Sequence, residues 1–319
     1  MKQNNSLPRV VFFGTPEFAR FCLASIVNYG FPVVGVVTAP DRKAGRGKKL
    51  TSSAVKEFAL RKNLRLLQPT NLKDPDFMDQ LRQLNADLFA VVAFRMLPTG
   101  VWSIPPLGCI NLHASLLPDY RGAAPINWVL INGEQKTGVT TFLIDEAIDS
   151  GALLMQKTQT IETEDTFETL HDKLLKLGAP LLCETLKKLS EHSVEGVQQV
   201  ELQNPKMAPK LTTENTQLDW DSSTVALVNK IRGLNPYPGA WTFLYNNGIQ
   251  SRVKLFIAMA LKENHDLPPG KILIRNSEML IATVDGFLNC LEIQLPNKKR
   301  MAVRALLNGY SFDTEAKML

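Results

Sequence analysis

The sequence predicts an α/β protein of two domains: a doubly wound, mostly parallel sheet, followed by a smaller β-barrel. Its 319 residues are about twice the length of an average domain. In the first part of the chain, short β-branched runs alternate with amphipathic segments, which is typical of parallel strands covered by helices. In the last part, short alternating runs are separated by turn residues, which is typical of a small barrel.

The first domain is predicted to span residues 1–190. Its first strand ends in the turn "GTPEF", which lacks the G-x-G-x-x-G pattern of a dinucleotide site, so we interpret Gly14 as a tight-turn residue. A helix is expected over 16–28, directly after that turn. The predicted strands are 9–15, 33–39, 88–94, 109–113 and 138–144.

A linker and a second domain are predicted to follow. Residues 191–207 lose the helical period and carry Gly, Pro and polar residues, so we interpret them as the linker. The second domain, 208–319, opens with a helical segment that leads into "NPYPGAW" and continues with the runs "VKLFIAMA", "GKILIR", "MLIATVDG" and "CLEIQL". Five or so short strands of this kind predict an OB-like β-barrel.

Composition limits the class of protein. Hydrophobic residues make up 45% of the chain, but no apolar stretch approaches the length of a membrane helix and no signal-peptide pattern occurs, so we expect a cytoplasmic protein that binds no membrane. The net charge of +5 is compatible with a polyanionic partner without requiring one. The four cysteines form no C-x-x-C pair, so buried free thiols are expected rather than disulfides or a metal site: Cys22, Cys109, Cys183 and Cys290.

The stretch "CINLH" carries the strongest chemical signal. Side chains two apart lie on one face of a strand, so Asn111 and His113 are predicted to point the same way at the strand's carboxyl end, where ligand crevices of parallel sheets form. The strand 138–144 leads into a turn that is expected to bring Asp145 and Asp149 to the same edge, if the two strands are neighbours.

These residues predict acyl chemistry on an amine. An Asn amide can stabilise an oxyanion, His113 can take a proton from an attacking amine, and Asp149 can orient the imidazole. Neither Ser nor Cys lies in a nucleophile elbow, so direct transfer is favoured over a covalent enzyme intermediate. Taken alone, however, an Asn-x-His at a strand end is more often a hydrogen-bonded structural pair, and that alternative stays open here.

A glycine-interrupted basic loop, "DRKAGRGKKL", follows the second predicted strand. Its position after that strand places it over the same carboxyl edge as Asn111 and His113. The cations offer contacts to phosphates, whereas a merely solvated loop is the commoner reading of a charge run. The candidate residues are Arg42, Lys43, Arg46, Lys48 and Lys49.

Motifs across both predicted domains resemble the methionyl-tRNA formyltransferases. The Asn-x-His-x-Ser-Leu-Leu-Pro core is shared by the wider group of formyltetrahydrofolate-dependent transferases, whereas the basic loop and the "NPYPGAW" barrel point to tRNA. The motifs that carry the resemblance are "FFGTPEFA" at 12–19, "VVTAPDRKAGRGKKL" at 36–50, "GCINLHASLLPDYRGAAPIN" at 108–127, "TGVTTFLIDEAIDSGALL" at 137–154, "LHDKL" at 170–174 and "IRGLNPYPGAW" at 231–241.

The resemblance implies a Rossmann-like fold and a set of residue roles. It implies that Asn111, His113 and Asp149 are catalytic, that 10-formyltetrahydrofolate is the formyl donor, and that initiator methionyl-tRNA is the acceptor. Metal-ligand His spacings are absent from the sequence, so no metal is expected, and we expect a monomer that binds no DNA. The implied folate contacts are Ser115, Leu116, Leu117, Pro118, Phe94 and Leu97; the implied tRNA contacts are the five residues of the basic loop and Arg304, with Arg252, Lys254, Lys298, Lys299 and Arg300 as further candidates.

The chain departs from the family pattern at several positions near the predicted folate site. Asp119 stands where Lys or Arg is expected, and Arg95-Met96 replaces a Gly-containing context; Asn127 and Ala147 replace Gln and Gly. We hypothesise that Asp119 weakens binding of the acidic folate tail, so that Asp119→Lys lowers the KM for folate. Two alternative functions remain: transfer to a small amine acceptor, such as a sugar nucleotide or purine precursor, and a non-catalytic RNA-binding relative.

Overall fold

The computed structural model describes residues 7–44 and 49–319. Within these ranges, some helices begin at a residue whose side chain caps them; Ser53, for example, caps the second helix by accepting the Lys56 N–H. The helices are α1 Glu17–Tyr29, α2 Ala54–Arg61, α3 Pro75–Gln83, α4 Thr99–Trp102, α5 Pro125–Ile131, α6 Phe167–Ser190, α7 Thr224–Leu234 and α8 Val303–Leu307.

Strands of the sheet centre, such as Val10–Gly14 and Leu88–Val92, fall in β-branched and aromatic runs. The strands are β1 Val10–Gly14, β2 Val33–Val37, β3 Arg42–Ala44, β4 Lys49–Thr51, β5 Leu66–Leu67, β6 Leu88–Val92, β7 Cys109–His113, β8 Arg121–Gly122, β9 Lys136–Leu143, β10 Leu153–Thr160, β11 Met207–Ala208, β12 Ala240–Asn246, β13 Ile249–Leu261, β14 Ile272–Arg275, β15 Glu278–Thr283, β16 Gly286–Gln294, β17 Met301–Ala302 and β18 Lys317–Met318.

A seven-stranded sheet of order β10-β9-β7-β6-β1-β2-β5 forms the centre of the first part of the chain. The pairs β5–β2, β2–β1, β1–β6 and β6–β7 are parallel, which confirms the predicted doubly wound, mostly parallel architecture. β9 runs antiparallel to β7. β1 and β6 are buried along their whole length, because helices cover both faces of such a sheet.

The turn between β1 and α1 requires a glycine. A Cβ on Gly14 would lie 2.5 Å from the Cβ of Ala19 and 3.0 Å from the carbonyl oxygen of Val92. Close packing of α1 against the sheet therefore explains Gly14, whereas the sequence predicted a glycine here for the tightness of the turn.

An antiparallel barrel forms the second part of the chain. Its strand order is β14-β15-β16-β13-β12-β18, and β17 pairs with β16. A bridge between Lys271 and Lys317 joins the two ends of this order, so the barrel is nearly closed and the OB-like prediction is confirmed. The helical segment predicted before the barrel is α7, and β12 begins at Ala240 within the predicted "NPYPGAW" stretch.

Contacts between residues divide the chain into two compact units. The first comprises the chain up to Gly122 with Thr137–Thr160 and Asp172–Met207; the second comprises Ala123–Lys136, Ile161–His171 and Ala208–Leu319. Two segments of the predicted first domain therefore group with the second unit, and the predicted linker 191–207 groups with the first. Within the second unit, α5 packs closely on α7, since a Cβ on Gly233 would lie 2.9 Å from a side-chain carbon of Ile131.

Candidate active site

Asn111 and His113 lie at the carboxyl end of β7 and project from the same face of the strand. His113 is only 6% exposed, and Asn111 is half-buried. Among residues 7–44 and 49–319, no hydrogen bond engages the Asn111 side chain, so its amide donors remain available to a ligand.

Protein groups face both ring nitrogens of His113. Nε2 lies 2.8 Å from the carbonyl oxygen of Tyr120, and Nδ1 lies 3.7 Å from Oδ2 of Asp149. Because a carbonyl oxygen only accepts, Nε2 carries a hydrogen and donates it to Tyr120. In the neutral ring, the lone pair is therefore on Nδ1, on the side of Asp149.

Asp149 reaches His113 by a route that the sequence did not predict. β7 and β9 are neighbours, but they run in opposite directions, so Leu143 at the end of β9 lies opposite Ile110 near the start of β7. The loop after β9 must turn back towards the other end of β7 to bring Asp149 within 3.7 Å of His113. The expectation that parallel strand ends deliver this carboxylate was wrong, although the predicted neighbourhood is correct.

Asp145, predicted to reach the same edge, instead stabilises its own loop. Its Oδ1 accepts the Ala147 N–H at 3.2 Å and the Ser150 hydroxyl at 2.8 Å. A carboxylate that accepts a bond from the backbone two residues on forms a local turn, which explains its position.

Two groups that sequence reasoning missed hold Asp149. The Gly122 N–H donates to Oδ2 of Asp149 at 2.9 Å, and the Gln199 side chain donates to the Asp149 carbonyl oxygen at 2.9 Å. Gln199 lies 50 residues along the chain, in the segment predicted as a linker. No periodicity or motif links residues at such a separation, so the sequence carried no signal for this contact.

The loop predicted to contact folate, 115–118, is built on buried hydrogen bonds. The Ser115 hydroxyl donates to the Asp119 carbonyl oxygen at 2.8 Å. The carbonyl oxygen of Ser115 accepts the Thr140 hydroxyl at 2.7 Å. Ser115 and Leu117 are buried, whereas Leu116 and Pro118 are partly exposed. The loop therefore has a fixed shape and offers its partly exposed members to solvent.

The two other predicted folate residues follow β6. Phe94 packs edge-on against Phe13, with ring centroids 5.7 Å apart, and Leu97 is buried in the same hydrophobic core. The guanidinium of Arg95 donates to the carbonyl oxygens of Pro69 and Thr70. The residues that follow β6 also line a groove of about 910 Å³, to which Arg95, Met96 and Pro98 contribute.

The basic loop is a small hairpin of β3 and β4, anchored at its base. Asp41 pairs with Lys56 at 2.6 Å and accepts the Gln68 amide at 3.2 Å, and these two bonds lower the pKa of the Asp41 carboxyl below its ordinary value. Arg42 is exposed. Burial and the charge of Arg42 lower the pKa of Arg95.

The other predicted loop residues are less fully described. Lys43 and Lys49 lie on β3 and β4. Arg46 and Lys48 lie outside the described residues.

Three of the candidate basic residues in the second unit contact other protein groups. Arg300 pairs with Glu292 and donates to Oδ1 of Asn235 at 3.0 Å, and Lys254 donates to the Pro238 carbonyl oxygen. The Arg252 guanidinium lies 3.8 Å from the centre of the Trp241 ring. The predicted tRNA contacts Arg304, Lys298 and Lys299 are exposed.

Asp119 has a structural partner. Its Oδ1 accepts the Lys206 N–H at 3.0 Å, and the adjacent Tyr120 N–H donates to the Lys206 carbonyl oxygen at 2.5 Å. The hypothesis that Asp119 weakens folate binding stays a prediction, and Asp119→Lys would also remove this hydrogen bond.

Comparisons with known proteins identify the family of this chain. A formyl transferase family model matches residues 8–186, and a model of the formyl transferase C-terminal domain matches residues 210–311. A methionyl-tRNA formyltransferase of Flavobacterium johnsoniae is 50% identical over 310 residues, covering 97% of this chain and 98% of that protein. The chain belongs to the methionyl-tRNA formyltransferase family. A second relative of that name, from Bacteroides fragilis, is 46% identical over 97% of each chain.

Solved structures share the fold of this formyltransferase. A sugar 3N-formyl transferase, WlaRD, solved in the presence of dTDP and 5-N-formyl-THF, superposes with a TM-score of 0.65 at 18% identity, covering 92% of this chain and 99% of that one. HypX from Aquifex aeolicus, solved in complex with tetrahydrofolic acid, gives a TM-score of 0.64 at 18% identity over 97% of this chain and 49% of that one.

No helix in the described part of this formyltransferase is long and apolar enough to cross a membrane. The four cysteines are free and buried, as predicted.

Proposed function

We propose that this enzyme transfers the formyl group of 10-formyltetrahydrofolate to the α-amine of methionine esterified on initiator tRNA, as a monomer in the cytoplasm and without a metal ion. The observation that carries the proposal is the arrangement of Asn111, His113 and Asp149 at one end of β7. The names of relatives at 50% and 46% identity support the acceptor. Two structures with this fold support the donor: one is a complex with tetrahydrofolic acid, and the other was solved in the presence of 5-N-formyl-THF.

His113 is the proposed base. As the amine nitrogen bonds to the formyl carbon, the Nδ1 lone pair of His113 takes a proton from that nitrogen. The ring becomes an imidazolium between the Tyr120 carbonyl oxygen, which accepts from Nε2, and the Asp149 carboxylate near Nδ1. Both neighbours are negative or electron-rich, so they favour the charged ring at the moment it forms.

Asn111 is the proposed oxyanion donor. Its amide has no bond to another described residue, so it can donate to the formyl oxygen as negative charge develops there. One preorganised donor of this kind is worth about 3 kcal/mol of the barrier. The proton held by His113 then passes to N10 of the folate as the bond between N10 and the formyl carbon breaks, which restores neutral His113.

The loop 115–118 and the residues Phe94 and Leu97 are the proposed folate contacts. The fixed loop beside the base offers Leu116 and Pro118 as a partly exposed surface for a flat ring system. The cations of the basic loop, together with Arg304, supply the proposed tRNA contacts through charge attraction to phosphates. They comprise Arg42, Lys43, Arg46, Lys48, Lys49 and Arg304.

The test is formyl transfer from 10-formyltetrahydrofolate to purified methionyl-initiator tRNA. Free methionine, uncharged tRNA and an amino-sugar nucleotide serve as parallel acceptors. Transfer to the charged tRNA alone is expected. Transfer to the small amine instead would replace the proposed acceptor, and binding of tRNA without any transfer would indicate a non-catalytic relative.

A further inference from the structure

The segment 197–206 is bound to both loops of the proposed site, and we refer to it as the strap. At one end, the N–H and carbonyl of Val197 each bond to Leu153 at 2.8 Å, beside the loop that follows β9. At the other end, Lys206 bonds through its backbone to Asp119 and Tyr120, in the loop that follows β7. The strap therefore connects the two loops that carry the proposed base and its carboxylate.

One side chain of the strap bonds to both loops at once. The Gln199 amide donates both hydrogens of Nε2, to the carbonyl oxygens of Asp149 and Gly151, each at 2.9 Å. Its Oε1 accepts from Arg121 twice, from Nε at 3.1 Å and from a terminal nitrogen at 2.5 Å. Every hydrogen-bonding position of this half-buried amide is used, so its orientation is fixed.

Asp149 needs such a partner because its backbone is strained. Its φ is 54°, in the left-handed region that an L-residue rarely adopts. Strained backbone persists only where surrounding contacts hold it, and Gln199 bonds directly to the carbonyl oxygen of this residue. The same backbone conformation directs the Asp149 carboxylate to the Gly122 N–H and towards Nδ1 of His113.

We infer that Gln199 is a positioning residue of the enzyme: by holding the Asp149 backbone, it keeps the carboxylate beside His113. The inference rests on the proposed function, in which Asp149 favours the charged form of His113. Gln199 itself touches no reacting atom in this account and acts through Asp149.

Three variants separate the contacts of Gln199. Gln199→Glu keeps an oxygen acceptor for Arg121 but replaces the donor to the two carbonyls with a second oxygen. Gln199→Ala removes both sets of bonds. Gln198→Ala is the matched control, because Gln198 is the adjacent residue of the same type and is exposed.

The expected result is a split between kcat and KM. In Gln199→Glu and Gln199→Ala, kcat falls about 10- to 100-fold, as is typical when a group is misplaced by about 1 Å, while both KM values stay within about twofold. Gln198→Ala behaves as wild type. In an Asp149→Asn background, Gln199→Glu lowers kcat much less, because the group it positions is already lost. Wild-type kcat in Gln199→Glu would overturn the inference.

A second measurement does not depend on activity. The Gly122 N–H donates to the Asp149 carboxylate, so its solvent exchange in glycine-labelled protein reports the position of that carboxylate. Exchange at Gly122 is expected to accelerate in both Gln199 variants but not in Gln198→Ala. Unchanged exchange in the Gln199 variants would refute the inference, whereas an inactive wild type with the expected exchange pattern would contradict the proposed function alone.

Discussion

The end of β7 and the β3–β4 hairpin hold their functional candidates in opposite ways. His113 is 6% exposed, and protein groups face both of its ring nitrogens, whereas Arg42 is exposed on a short hairpin that is anchored through Asp41 at its base. A buried side chain with fixed partners suits chemistry that needs one geometry. An exposed cation suits attraction to a phosphate, for which many geometries serve.

The largest expected effect is at His113. His113→Ala removes the proposed base, so kcat is expected to fall about 10³-fold, within the range typical of general-base loss, while the Kd for methionyl-tRNA stays unchanged. Turnover and filter binding on the same preparation measure both quantities. Retained turnover would mean that His113 is a structural residue of the strand end.

Asn111→Ala tests the other half of the same site. Loss of one oxyanion donor is expected to lower kcat about 10²- to 10³-fold. Because the Asn111 side chain bonds to no other described residue, the melting temperature is expected to stay close to that of wild type. A large loss of thermal stability would show instead that the amide supports the fold.

Arg42→Ala tests the hairpin. Loss of one phosphate contact is expected to raise the KM for tRNA about fivefold and to reduce the salt slope of binding by about one, with kcat unchanged. Arg61→Ala, which removes an exposed arginine from the last turn of α2, is the control for net charge. If the two variants change the KM for tRNA and the salt slope equally, Arg42 contributes only to the overall charge of the protein.

Asp41→Asn loosens the base of the hairpin. The KM for tRNA is expected to rise about twofold, less than in Arg42→Ala, because a single hydrogen-bonded ion pair at a surface contributes little. Lys56, and then Gln68, lower the pKa of Asp41, so the pair is intact above the ordinary carboxyl pKa and is lost only as pH falls through the lowered value. The ratio of mutant to wild-type KM is therefore expected to stay constant between pH 6 and 8. A ratio that changes across this interval would contradict the assignment.

The smallest expected effect is on thiol chemistry. Burial raises the pKa of Cys183 to about 11 and also raises the pKa of Cys109, at the start of β7. A raised pKa leaves little thiolate at pH 8, so Ellman's reagent is expected to react slowly with the native enzyme. In guanidinium, which unfolds the protein, the reagent is expected to react with all four cysteines. Rapid reaction of the native protein would show that its buried cysteines become accessible to the reagent.

Sequence patterns predicted what depends on local periodicity. The period of two in "CINLH" placed Asn111 and His113 on one face, and strand-helix alternation predicted the parallel sheet. Asp149 was predicted to lie near His113, but the direction of β9 was not predicted. β9 is buried on both faces, so its sequence reads like that of a parallel strand although it runs antiparallel to β7. The domain limits and the residue roles stay predictions.

The strap was the least predictable part. It lies within the predicted linker 191–207, whose Gly, Pro and polar residues carry no helical period. Yet Gln199 and Lys206 bond to residues 50 and 87 positions away in the chain. Such contacts arise only from the tertiary fold. The composition of a segment indicates that it forms no helix or strand, but it does not indicate which residues the segment contacts in the folded protein.

The strap also has a consequence for dividing or recombining this chain. A chimera that exchanges the C-terminal domain at residue 191 would replace Gln199 and Lys206 along with it. It would therefore exchange part of the scaffold of the loops that carry the proposed base and its carboxylate. A joint after Met207 would leave those contacts with their native partners, which all belong to the first compact unit. The useful boundary for protein engineering is therefore set by hydrogen bonds and not by composition.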